Sequence, residues 1–435
     1  MTNNSELKSC LQALAQFSLG FYYEYLPPDK LQQYLEQVRY IELMRLDSKA
    51  IVESPLFAKC VSLIDKDEHI QALKGKLVGT SDAQSSLYDN SFIILSFLRQ
   101  LYINSPTYSQ NLFDHAYSSF EELFYSEVLK IIDTVRLHNF RYDSSLIELG
   151  YGISIRRVPV QRVTHTVSEG MQSWVYARPD VSDFVIERLY TRKKAVLDPH
   201  KINESNTNQD IPKAELTDSD SHQALPKTME LFDFVISAFR ILKPSDIFTE
   251  AELSSQLLTF HPMTDTGRAT VYTMASPKTT LFGKASIIEE KDIPELKSIF
   301  NFIVEQKDNR FDVARRRLSL GNERGIPEDR LLDYMIGLEA LYLLDGNNEL
   351  TFRLSLRISF LLYKDPAERK DVYHFVKNMY KIRSKIVHGD KPKIAKDEMD
   401  KLEELLRKSL KLWLENKSNF SIDNLTNMLF TSETN

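Results

Sequence analysis

From Pro327 to Leu414 the sequence is punctuated as four amphipathic helices with short connections, and this restricts that part of the chain to a helical bundle. Pro327 follows Gly325-Ile326 and opens the first helix, with Glu328 and Asp329 in the turn whose positive end favours carboxylates. That helix is predicted to run to about Leu344 and to stop at Asp345-Gly346-Asn347-Asn348; a second is predicted from about Glu349 to Leu362. Asp365-Pro366-Ala367-Glu368 then offers an N-cap, a proline at the first helical position and a carboxylate two residues later, as in a capping box. The third helix should end near His388-Gly389, where glycine is free to take the left-handed conformation. A fourth runs from about Ala395 to Leu414.

Upstream the pattern is mixed. Residues from about Leu7 to His138 read as helical, with apolar residues at helical spacing in Leu11–Phe17, Leu31–Leu43 and Phe120–Val135. Ile147–Ile155, Trp174–Tyr176 and Ala269–Met274 have the β-branched and aromatic content of strands, and Met229–Leu242 reads as a helix. Between Leu197 and Pro226 the chain is polar and acidic, too poor in apolar residues to offset ordering, so a linker or long exposed loop is expected. The predicted organisation is mainly α with some β (α+β): a helical region at residues 1–140, a β-containing region at 141–196 that joins it in one domain or stands apart, a linker at 197–225, a helical domain at 226–420 and a tail at 421–435.

The charge balance excludes one class and disfavours others. A net charge of −6 lacks the broad basic footprint of a non-specific nucleic-acid binder, leaving room only for a local basic cleft. Cys10 and Cys60, the only cysteines, have no metal-like or redox-like spacing, so neither a disulfide framework nor zinc is expected. Phosphate-binding and dinucleotide glycine loops and the His-Glu-x-x-His pattern are missing, and no cofactor or metal is expected. The amino-terminal residues lack the basic start and apolar core of a signal peptide, and no stretch is long and apolar enough for a bilayer. A cytoplasmic protein without a membrane partner is the expectation.

Chemistry is concentrated on the third helix of the bundle. Its apolar stripe passes through Val372, Phe375, Val376, Met379, Ile386 and Val387, and Arg383 falls on it. A guanidinium in an apolar groove costs several kcal/mol unless it is paired. Glu339 has the same problem on the first helix, on a stripe with Leu332, Ile336 and Leu343. Glu339 is therefore expected to pair with Arg383, or with Arg353 or Arg357, and a purely structural ion pair carries equal weight. His388 follows Arg383 by five residues at the expected helix end, where the negative carboxyl terminus favours an imidazolium. Five residues of continuous helix turn the chain through roughly 140° relative to the start. Either the helix breaks before His388, or the two residues serve one site completed by a second copy of the chain.

Tyr380-Lys381-Ile382-Arg383-Ser384-Lys385-Ile386-Val387-His388-Gly389 resembles the signature helix end of the HEPN superfamily, in particular its Apea-like branch. The resemblance runs back through Glu349–Arg357, Gly337–Leu341 and Glu328–Asp333, as far as Phe239-Arg240-Ile241-Leu242-Lys243, and so covers about Pro226 to Leu414. It implies a bundle that forms a homodimer and cuts RNA without a metal, in the manner of phage-defence effectors, toxins or stress-response nucleases. Carried onto this chain, His388 would act as general acid or base when a ribose 2′-hydroxyl attacks the adjacent phosphate. Arg383 would stabilise the charge gathering on the phosphorane, Ser384 would orient substrate, and Glu339 would support the site. Lys385, Arg353 and Arg357 are the candidate substrate contacts. The amino-terminal half would then be the regulator, meeting a trigger ligand or an antitoxin. Inactive relatives bind nucleotide or RNA or serve as helical scaffolds, and that alternative stays open.

The remaining features read as structural. Arg315-Arg316-Arg317, Arg192-Lys193-Lys194 and the second Arg-x4-His match, Arg369 to His374, are read as solvated faces. His115, His138, His165 and His261 have no obvious partners, and the aromatics of Phe21–Tyr23 and Phe120–Tyr125 are read as core.

Overall fold

The computed structural model describes residues 4–24, 44–46, 48–74, 76–79, 84–86, 89–101, 108–157, 184–197, 224–257, 270–273, 286–343 and 349–427 of the 435-residue chain. As predicted, it is mainly helical with a smaller, largely antiparallel β component. Leu31–Leu43, Trp174–Tyr176, His165, His261 and nearly all of the 197–225 segment lie outside the described residues. The chain forms two compact units that are interleaved in sequence. One comprises Met1–Val135, Val158–Thr228 and Glu252–Thr273; the other comprises Arg136–Arg157, Met229–Ala251 and Met274–Asn435.

The first unit is built on helices whose starts are well specified. The side chains of Asn4, Ser54, Asp67 and Ser109 each accept a backbone N–H from the first turn of the helix that follows. Helix Gln110–Tyr125 buries Phe113, Tyr117, Phe120 and Phe124, whose successive ring centroids lie 5.9, 5.8 and 4.7 Å apart. The expected aromatic core is found there, together with Leu7, Leu11, Phe57, Ile64 and Phe97. Cys10 and Cys60 are free thiols inside this core, and burial together with a bond to Cys10 pushes the Cys60 thiol up.

The helix expected over Phe120–Val135 is corrected. It ends at Tyr125, and Val128–His138 is a strand. Leu129, Ile131, Asp133, Val135 and Leu137 point inward in strict alternation with more exposed residues, a period of two rather than 3.6. Asp133 disguises that alternation in the sequence: it is fully buried, and accepts a 2.6 Å hydrogen bond from the Thr228 hydroxyl. The strand content expected over Ile147–Ile155 is present, folded as a hairpin. Leu146–Gly150 pairs antiparallel with Ile153–Arg157, and Gly150, Tyr151 and Gly152 turn the chain at positive φ.

The second unit holds the bundle. Its four helices are Pro327–Tyr342, Leu350–Leu362, Pro366–Val387 and Lys396–Glu415, all within two residues of the predicted bounds. The first of these is central and packs against the other three and against Asn309–Glu323. Two glycines permit the close approach. A Cβ on Gly321 would overlap the Tyr334 ring, and one on Gly337 would come within 2.8 Å of Leu406. Leu331, Met335, Leu338, Leu402, Leu406 and Leu410 close the core, and Trp413 packs on Phe311 and Phe420.

Charged residues run through this interior. Arg315 is not solvated as expected; it is buried, donates 2.6 Å bonds to Asp233 and Ser237, and pairs with Asp312 at 2.8 Å. Arg316 stays on the surface and also pairs with Asp312, while Arg317 pairs with Asp333. Arg369 departs from expectation too: its Nε donates to the Tyr363 carbonyl at 2.7 Å and its guanidinium lies over the Phe360 ring. His374 is exposed as expected. Among the described residues no helix is long and apolar enough to cross a membrane.

Candidate functional site

The Pro366–Val387 helix begins and ends as its sequence dictates. Asp365 Oδ1 accepts the backbone N–H groups of Ala367 and Glu368, both at 2.9 Å, and Pro366 occupies the first turn. At the other end Gly389 has a φ of +94°, its N–H donates to the Ile386 carbonyl at 2.9 Å, and the N–H of Asp390 donates to the Lys385 carbonyl at 3.0 Å. This is the full Schellman arrangement, with His388 as the C-cap residue. The His388 N–H is shared between the Ser384 and Lys385 carbonyls, so the backbone under the imidazole is fixed while the side chain is exposed.

The helix is continuous through Val387, which removes one of the two alternatives: there is no break before His388. At 100° per residue, Val376, Met379, Tyr380 and Arg383 share one face, and Lys381, Ser384, Lys385 and His388 share another. The helix thus presents Arg383 and His388 in different directions. Val387, expected on the apolar stripe, is 61% exposed, because the stripe drifts away from the bundle over the last turn.

Arg383 meets Glu339, the first of the expected pairings. Arg383 Nη2 donates to Glu339 Oε2 at 3.3 Å, and Nε lies 3.0 Å from Oε1. That shorter contact lies off the N–H direction, so Nε and Oε1 are close in charge but not hydrogen-bonded. The ring of Tyr380, one turn earlier, lies 5.3 Å from the guanidinium carbon. The two charged side chains are 25% and 21% exposed, and Arg383 makes no other hydrogen bond among the described residues. Nη1 and the second N–H of Nη2 therefore have no hydrogen-bond partner among the described residues, whereas Nε is buried; the guanidinium fork is of the kind that suits phosphate.

The half-buried setting also marks the carboxyl. Burial pushes Glu339 above its ordinary value of 4.5, and the nearby Arg383 only partly opposes this. A carboxyl raised on folding contributes stability that is full below the unfolded value and lost as pH rises through the folded value. Glu339→Gln removes that dependence. Thermal unfolding of the two proteins from about pH 4 upward should show the wild type losing ground to Glu339→Gln as pH rises through this window. A difference that does not change with pH would exclude a raised carboxyl.

The other expected residues separate into two groups. Lys385 is exposed and Ser384 half-buried on the His388 face. Arg357 is buried, with its guanidinium donating to the Tyr342 carbonyl at 2.7 Å, so it belongs to the interior and not to a substrate surface. Arg353 is half-buried on the neighbouring helix. Tyr380 is a partner of Arg383 that sequence reasoning misses, although its i, i+3 spacing is a signal that could reveal it. Among the described residues no group of three or more His, Cys, Asp or Glu is arranged to hold a metal ion.

No protein-family model matches this chain, and no curated protein or solved structure matches it either.

Proposed function

We propose that the chain is an endoribonuclease of the HEPN type that works as a cytoplasmic homodimer without a metal, the Arg383 of one copy meeting the His388 of the other. The observation that carries this reading is the continuous helix through Val387, which turns the two groups apart, with His388 exposed and Arg383 partly so. Two such helices meeting across a twofold axis can bring each arginine to the partner's histidine, since each surface then faces its copy.

In that arrangement the imidazole of His388 takes the proton of a ribose 2′-hydroxyl or gives one to the departing 5′-oxygen. The free donors of Arg383 bind the non-bridging oxygens as the phosphorane forms. The 2′-oxygen–phosphorus bond forms and the phosphorus–5′-oxygen bond breaks, leaving a 2′,3′-cyclic phosphate and a 5′-hydroxyl. Glu339 and Tyr380 hold the guanidinium, and Ser384 and Lys385 line the approach. The toxicity of such an activity calls for control by the amino-terminal half, through a trigger ligand or an antitoxin, as in a phage-defence effector.

One observation favours a second reading. The Glu339–Arg383 pair already gives the arginine a structural partner, as a catalytically silent RNA-binding or scaffold protein would need. Incubating the purified protein with transfer, ribosomal and messenger RNA in excess chelator, and mapping the cut ends, separates the two. The nuclease reading expects discrete cuts with 2′,3′-cyclic phosphate ends. Intact RNA from a folded, dimeric protein would leave only the silent reading.

A further inference from the structure

A charged surface adjoins this site that the net charge of the chain conceals. Residues 377–396 contain Lys377, Lys381, Lys385, Lys391, Lys393, Lys396 and Arg383 against the single acid Asp390, in a chain whose overall charge is −6. Arg383 is already paired with Glu339. Among the described residues, none of these six lysines has a carboxylate within ion-pairing distance, and all but Lys377 are exposed. Six arginines of the same unit behave oppositely: Arg240, Arg315, Arg317, Arg324, Arg330 and Arg407 each engage an acid.

The arrangement is ordered as well as basic. Lys377, Lys381, Lys385 and His388 recur at helical spacing along one face, two turns of which span roughly 11 Å. The Schellman bonds at Gly389 and Asp390 then fix how the chain leaves that face toward Lys391 and Lys393. Successive phosphates of an extended single strand are spaced at several ångströms, so cations one turn apart can each meet a different phosphate. A stretch of unpaired cations leading to a proton-transfer group suits a polyanion that continues beyond the scissile bond.

We infer that Lys381, Lys385, Lys391 and Lys393 form a phosphate track that holds single-stranded RNA on the side of His388, so that the substrate is a strand of several nucleotides and not a dinucleotide. This rests on the ribonuclease reading for the identity of the strand, but binding can be measured without cleavage.

The probe is a twelve-nucleotide single-stranded RNA whose 2′-oxygens are all methylated, which cannot be cut by 2′-hydroxyl attack. Its affinity for the full-length protein is measured by fluorescence anisotropy across a salt series, for wild type and for K381Q/K385Q/K391Q/K393Q. These positions are exposed, and a circular-dichroism melt checks that the variant stays folded. The wild type should bind with affinity falling steeply with salt. The variant should bind at least about tenfold more weakly at low salt, with the log–log slope shallower by about 0.7 for each phosphate that the protein no longer neutralises. A two-nucleotide probe should bind far more weakly than the twelve-nucleotide one. Unchanged affinity and slope in the variant would overturn the track, as would binding to vesicles of anionic lipid with none to the oligonucleotide. Track binding without cleavage of natural RNA would sink the nuclease reading alone. Cleavage together with variant-insensitive binding would sink the track alone.

Discussion

Replacing His388 with alanine should lower RNA cleavage by about 10²–10⁴-fold, the usual worth of a positioned general acid or base, while the melting temperature and the oligomeric state stay unchanged. The structural half of this expectation follows from the helix end. The His388 side chain is exposed, and what His388 gives the fold is its backbone N–H, shared by the Ser384 and Lys385 carbonyls. Alanine keeps that N–H, so the cost to stability should be within about 0.5 kcal/mol, as for an ordinary surface substitution. Arg383→Ala is the less clean companion, because it leaves the half-buried Glu339 without its cation. The two variants together test the composite site. Each alone is inactive, yet in a mixed dimer one of the two sites keeps both groups, so re-equilibrated equal mixtures should recover about one quarter of wild-type activity. Cleavage by His388→Ala at the wild-type rate would remove the histidine from the mechanism. Failure of mixed dimers to regain activity would place both groups within one chain.

The bundle is legible in the sequence because its punctuation is local. Asp365-Pro366, His388-Gly389 and the proline at 327 each specify a helix end through bonds made within a few residues, and the observed ends agree. The Glu339–Arg383 pairing is legible for a different reason: two charges on two apolar stripes have few ways to avoid an isolated burial. Val128–His138 reads wrongly because both alternation and helical spacing can be drawn through its apolar residues, and Asp133 on the inward face breaks the apparent rule. Arg315 reads wrongly because a run of three arginines gives no local hint that Asp233, some eighty residues away, turns one of them inward. The basic stretch around His388 is hidden by averaging, since over the whole chain 61 acids outnumber 55 lysines and arginines. Neutralised and free cations look alike until the position of every carboxylate is known.

Glu403→Ala should destabilise the second unit by about 3–5 kcal/mol, the cost of breaking a buried ion network from one side. Glu403 is a buried carboxylate on the Lys396–Glu415 helix that serves three donors at once. Arg330 Nη2 reaches it at 2.6 Å, the Tyr334 hydroxyl at 3.1 Å, and Arg407 from the next turn of the same helix. Arg407 is itself buried and, among the described residues, has only Glu404 and the Arg240 carbonyl in reserve. The same carboxylate contributes to the shifts of its neighbours. Burial raises the Tyr334 phenol first and Glu403 adds to it, while for Arg330 burial works downward and is outweighed by Tyr334 and Glu403. Alanine would remove the one anion that Arg330, Tyr334 and Arg407 share, one turn from Leu406, where two helices already touch at Gly337. Glu403→Gln keeps the volume and one acceptor oxygen but not the charge, so it should recover only part of the loss. Equilibrium denaturation followed by far-ultraviolet circular dichroism reads both. If alanine cost less than about 1 kcal/mol, as an exposed ion pair would, Arg330 and Arg407 would have to find water, and the interior described for this bundle would be wrong at its centre.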